Sequence, residues 1–210
     1  MKEKDLRDGE LYEYRYRYKS RRSTTIFYCV LALIVAAALG FRIYWTNTFG
    51  GVYVDGNSMY PTLHSGDELL MKYGGDDVIV VDVRSYGDEY DFGNTQFLIK
   101  RLIAVEGDTV YCEDGEVYIR YAGTEEFVPL DEPYIPDGEI YSFGPYEVGT
   151  DEIFFLGDNR LNSKDSRYKE GLSHLDCLYK ESDIYGIVPE WAIKYKEILK
   201  YIPGMRISYS

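Results

Sequence analysis

Two residues stand where packing alone does not explain them. Lys100 interrupts FLIKRLIAVEGD, Phe97 to Asp108, a run otherwise apolar enough to be a buried strand. Burial disfavours an ammonium ion, so a lysine held there supplies a neutral amine near neutral pH. Ser58 lies in VDGNSMYPTL, Val54 to Leu63, between Gly56 and Pro61. That places it at a tight turn leaving a strand, hydroxyl exposed, with its backbone N–H able to face a carbonyl oxygen. A neutral amine can take the proton of a serine hydroxyl as the imidazole of a triad does, and the freed oxygen can then attack an acyl carbon.

A third segment, GDNRLNSKDSRY, Gly157 to Tyr168, follows the apolar run Ile153 to Leu156 and concentrates Asp, Asn, Ser and Arg. Asp158 and Asp165 are expected to pair with Arg101 and Arg167, and Ser163 to hydrogen-bond the Lys100 amine and aim it at Ser58. Other chemistries fit less well. A Ser-His-Asp triad would need His64 or His174, but His64 is too close in sequence to Ser58 to arrive on a separate strand, and His174 has no motif around it. Ser166 to Lys169 forms an S-x-x-K without an S-D-N or K-T-G partner, and is read as coincidence. Cys112 and Cys177 fit no zinc-ligand spacing and no pairing between them can be inferred, while Cys29 falls in an apolar stretch. No metal or organic cofactor is implied.

The elements that must position these residues read as strands: 52–54, 68–73, 78–83, 97–105, 110–112, 117–120, 153–156 and 184–188. Asp114-Gly115 marks a hairpin. Residues 121–150 hold four of the seven prolines and have no clear period, which predicts an inserted subdomain. The fold class is mainly β.

Ahead of the strands, Thr24 to Phe41 contains no charged residue and runs on into Tyr44 and Trp45. Twenty-two residues span roughly 33 Å as a helix, enough to cross a hydrocarbon core of about 30 Å. Ala36-Ala37-Ala38 resembles the cleavage site of a removable leader, but the apolar run continues beyond it, favouring a retained anchor in contact with membrane lipids. The first 23 residues carry eight Lys/Arg against five Asp/Glu, a net of +3, so the remainder carries −16 of the chain's −13 total. Arg15, Arg17, Lys19, Arg21 and Arg22 before the span place the N-terminus in the cytoplasm and the acidic body outside. An acidic body also argues against a nucleic-acid partner. The expected organisation is a basic tail, 1–23, a transmembrane helix, 24–45, and an extracytoplasmic domain, 46–210.

Together, the three motifs and the anchor resemble the prokaryotic-type I signal peptidase family. Its serine box, its lysine box K-R ending in G-D, and its G-D-N box with S-x-D-S-R occur here in order, and Gly66-Asp67 fits as well. The resemblance spans about Tyr53 to Tyr168. It implies a single-pass cell-membrane endopeptidase that removes signal peptides from exported preproteins after small-x-small sites. Ser58 would be nucleophile, Lys100 general base, Ser163 a lysine-orienting hydroxyl, and Arg101, Asp158, Asp165 and Arg167 supports. An extended substrate would add as a strand along a shallow groove whose candidate walls are Val54, Asp55, Gly56, Met59, Leu63, Phe97, Leu98 and Ile99. Some family members carry a serine where this chain has Gly56, which leaves the oxyanion hole here to backbone N–H groups. Two rivals are a self-cleaving Ser–Lys protease of the SOS-repressor kind, which lacks an anchor, and an exported module that only binds extended peptides.

Overall fold

A computed structural model of the chain describes residues 2–72, 78–86, 96–136, 138–167 and 179–199, with backbone alone for 2–21 and 199. It divides after Thr48 into two compact units. The first is one helix, α1, Lys2–Thr48, longer at both ends than the apolar pattern required. Its stretch Arg22–Thr48 is long and apolar enough to cross a membrane and has none of its apolar window buried. Ile26, Phe27, Leu33, Leu39 and Ile43 all stand exposed. By length and composition such a stretch, apolar on every face and exposed along its apolar window, fits a hydrocarbon environment.

The second unit is built of strands β1 (Phe49–Tyr53), β2 (Glu68–Lys72), β3 (Val78–Asp82), β4 (Phe97–Val105), β5 (Thr109–Glu113), β6 (Glu116–Arg120), β7 (Val128–Pro129), β8 (Phe143–Glu147), β9 (Glu152–Leu156), β10 (Tyr179–Lys180) and β11 (Ile184–Val188). They form a seven-stranded sheet in the order β1-β2-β11-β3-β4-β9-β10 and a four-stranded sheet in the order β7-β6-β5-β8. All pairings are antiparallel. The smaller sheet opens at Thr109, ahead of the 121–150 stretch, because the β5–β6 hairpin supplies its centre. Asp114 and Gly115 both take positive φ at that hairpin, as an Asp-Gly turn requires.

Alternation along β9 explains how the two sheets share a core. Phe154 and Leu156 pack with Ile103, Val110, Val117 and Ile119, on the side of the smaller sheet. Ile153 and Phe155 point the other way, to Ile79, Val81 and Tyr179. The strand β4 lies between β3 and β9, with Ile79 opposite Lys100 and Leu156 opposite Arg101. A lysine at that position has no route to water along its own strand, and Lys100 is 2% exposed.

Phe154 joins the two sheets, its ring tilted against those of Phe143 and Tyr146, with centroids 5.7 and 5.2 Å away. Phe154→Ala is expected to lower unfolding free energy by about 3–5 kcal/mol, measured by urea titration in detergent; a loss below about 1 kcal/mol would show that the ring is not a core element.

Candidate active site

The turn that carries Ser58 is closed at both ends by backbone bonds, Val54 N–H to the Asp67 carbonyl and Gly66 N–H to the Val54 carbonyl, each 2.9 Å. Met59 and Leu63 are fully buried beneath it and anchor it to the core. Gly56 takes φ +103°, which side-chain-bearing residues rarely adopt. Its N–H donates to Ser65 Oγ, 3.3 Å, while the N–H of Ser58 makes no hydrogen bond among the described residues.

Lys100 Nζ lies 2.7 Å from Ser58 Oγ and donates to the Ile99 carbonyl at 3.0 Å. Burial is the largest influence on the amine and lowers its pKa to about 8, against the opposing pull of the Asp165 and Asp158 carboxylates. Near pH 8 half of such amines are neutral.

The Gly157–Arg167 segment locks these two parts together. Asp158, with no exposed side-chain surface, accepts both guanidinium bonds of Arg101, 2.9 and 2.7 Å. It also accepts the Thr62 hydroxyl at 2.5 Å, so one carboxylate ties the serine turn to the lysine strand. Asp165 accepts the Gly157 N–H and two bonds from Arg167. Asn159 donates its backbone N–H to the Ser58 carbonyl and its amide to the Asn57 carbonyl, both 2.9 Å. Gly157 permits this approach: a Cβ there would stand 2.1 Å from Ser163 Oγ and 2.5 Å from the Ser58 carbonyl oxygen.

Ser163 departs from expectation. Its hydroxyl is buried with no hydrogen-bond partner among the described residues, and the Lys100 amine bonds instead to Ser58 and the Ile99 carbonyl. Val54, Asp55, Gly56, Met59, Phe97, Leu98 and Ile99 line a groove of about 670 Å³ that ends at Ser58 and Lys100. Leu63 does not reach it, being wholly in the core. Asn162 and Lys164 complete the wall; their place in the polar box was visible, their direction was not. Thr62, Asn159, Arg160, Glu132 and Tyr134 were also missed as contributors. Ser166 Oγ accepts the Phe155 N–H in the core, whereas Lys169, His174 and Cys177 lie outside the described residues. Cys112 is a free thiol that donates to the Tyr141 carbonyl.

A serine beside a buried amine, at the end of a groove in a β domain, is the constellation of a serine-type peptidase. Comparison with known proteins gives the same class. A family model described as signal peptidase, peptidase S26, matches residues 24–193. Signal peptidase I S of Bacillus subtilis (strain 168) is 34% identical over 160 residues, covering 67% of this chain and 78% of the relative. Signal peptidase I of Bacillus licheniformis is 33% identical over 171 residues, covering 73% and 84%. A solved signal peptidase I from Enterococcus faecalis V583 superposes with a TM-score of 0.39 at 27% identity, covering 54% of this chain and 93% of its own. The chain belongs to the signal peptidase, peptidase S26, family, and is a serine endopeptidase.

Two outcomes test this geometry. Gly157→Ala pushes the Ser58 turn and the Asp158 loop apart, and kcat/KM is expected to fall on the order of 100-fold; unchanged turnover would contradict the close approach. Lys100→Met removes a buried charge. Below pH 8 the wild-type lysine is charged in folded and unfolded states alike, and the folded state bears its desolvation, about 3 kcal/mol for the drop from 10.5 to about 8. Between those two values the unfolded chain binds the extra proton, so wild-type stability rises with pH. The variant is therefore expected to be inactive yet more stable at pH 7, with the advantage vanishing above pH 10.5. Equal urea midpoints at pH 7 would show that the lysine is not desolvated.

Proposed function

We propose that this chain removes signal peptides from exported preproteins, cutting after small-x-small sites with Ser58 as nucleophile and Lys100 as general base. The 2.7 Å separation of a buried amine from a serine hydroxyl at the end of an open groove carries the reading. A neutral Lys100 takes the proton from Ser58 Oγ as that oxygen bonds to the scissile carbonyl carbon. The N–H of Ser58, unpartnered among the described residues, would receive the developing oxyanion; Gly56 has no side-chain donor to add. The Lys100 ammonium then protonates the leaving amine, the C–N bond breaks, and an ester on Ser58 remains. Water, deprotonated by the neutral amine, hydrolyses it.

An extended substrate lying along Val52–Asp55 and Phe97–Ile99 turns alternate side chains toward the protein. The residues one and three places before the cut would therefore meet Val54, Met59, Leu98 and Ile99, and a shallow apolar wall there favours small side chains. The helix α1 serves as a membrane anchor, and the arginines and lysine before it orient the N-terminus to the cytoplasm and the acidic body outside.

The test is cleavage of a preprotein bearing an Ala-x-Ala site by the full chain in detergent. The unmodified protein should cut once after the second alanine, while Ser58→Ala and Lys100→Ala should each reduce the rate by at least about 1,000-fold. Binding without cleavage by the unmodified chain would instead identify a peptide-binding module, and cleavage surviving Ser58→Ala would remove the dyad.

A further inference from the structure

The segment between β7 and β8 reaches from the smaller sheet into the supports of the catalytic pair. Arg101 sits over the ring of Tyr134, its guanidinium carbon 3.6 Å from the ring centroid. Arg101 is the cation that holds both oxygens of Asp158. Tyr134 donates its hydroxyl to Glu132 Oε1 at 2.9 Å. Glu132 in turn accepts two bonds from Arg160, one of them 3.0 Å. The Arg160 side chain has no exposed surface and that of Glu132 is 10% exposed. Arg160 Nε donates to the Gly157 carbonyl at 3.2 Å, and its own carbonyl accepts from Arg167 at 2.8 Å. Each side chain in this chain of contacts is used at both ends, and both ends stop at residues that border Ser58 and Lys100.

We infer that Tyr134 and Glu132 are positioning residues: one clamp from the smaller sheet, Tyr134 on Arg101 and Glu132 on Arg160, holds Arg101 to Asp158 and the Gly157 turn in place, and so seats Lys100 beside Ser58. The inference rests on the assignment of that pair as the reacting groups.

The physical consequence is electrostatic as well as steric. The charges acting on Lys100 are Asp158 and Asp165 from the Gly157–Arg167 segment; Asp55 and Lys164 line the same groove, and Arg101 follows Lys100 on β4. Arg167 occupies Asp165 and Arg101 occupies Asp158. Both carboxylates stabilise the ammonium form of Lys100. A planar guanidinium stacked on a ring has little freedom to leave its carboxylate. Without the ring, Arg101 can swing to solvent, Asp158 loses its countercharge, and the amine holds its proton more tightly. The base is then in the wrong form at neutral pH although Ser58 and Lys100 are intact.

The decisive experiment measures kcat and KM of the full chain in detergent against pH, on a peptide spanning an Ala-x-Ala cleavage site, together with urea unfolding. Tyr134→Phe keeps the ring and is expected to retain the wild-type acid limb. Tyr134→Leu removes it, and kcat at pH 7 should fall about ten-fold with KM within about two-fold, the acid limb moving up by about one pH unit. Tyr134→Trp, which restores an aromatic face, should bring the limb back. An unmoved acid limb in Tyr134→Leu overturns the inference, whether kcat is unchanged or falls only with the folded fraction. Should Tyr134→Leu not fold, Tyr134→Met refills the volume without an aromatic face and carries the same expectation; failure of both to fold marks the contact as structural and also overturns it. Ser58→Ala separates the two levels, since turnover surviving in it removes the dyad, whereas a failed clamp leaves the dyad intact and alters only the Tyr134 results.

Discussion

A lysine side chain enclosed in a β domain is costly in its charged form, and that cost is what the rest of the structure organises. Water is excluded from Lys100 by the strands on either side of β4 and by the Ser58 turn above it, and the proton affinity of the amine drops toward the working range of a base. The same enclosure would be futile if the amine found a carboxylate within bonding distance, for it would then stay protonated. The two nearby acids are instead each committed to an arginine, Asp158 to Arg101 and Asp165 to Arg167. Desolvation wins because the opposing charges are already engaged.

Orientation follows from the same parts. Asp158 takes bonds from the serine turn and the lysine strand at once, and Asn159 stitches its loop to the backbone of Asn57 and Ser58. These contacts join segments remote in sequence, so the distance between Ser58 and Lys100 is set by a shared polar network over a shared apolar core. Phe154 and Leu156, just before Gly157, face the smaller sheet. That sheet is therefore part of the scaffold on which the polar loop sits.

Much of this architecture was legible from residue types. Strands such as β3, four of whose five residues are buried, β4 and β11 announce themselves as apolar, β-branched runs, and their ends fall where they were read or within one residue. The elements missed are those with little pattern to show. β7 and β10 have two residues each, and the sequence around β8, FGPYE, carries two turn formers inside a strand. The helical turns Glu190–Lys194 and Lys196–Leu199 are too short to display a period. Within the site, Lys100 was readable because charge in an apolar run is conspicuous, Ser58 from its turn between Gly56 and Pro61, and the two Asp–Arg pairs from the density of polar residues after an apolar strand. Tyr134 and Glu132 were not, since a tyrosine and a glutamate in a proline-rich stretch look like surface until the chain folds them onto buried arginines. The hydroxyl of Ser163 was expected on Lys100, and sequence spacing had no means of showing that the amine would turn to Ile99 and Ser58.

The protonation of Lys100 is directly observable. With lysines 13C-labelled at Cε in the full chain in detergent, and Lys100→Met used to assign the resonance, the Lys100 signal should titrate with a midpoint near 8. A midpoint near 10.5, the ordinary value for a lysine in water, would contradict the sheltered, neutral amine on which the mechanism depends.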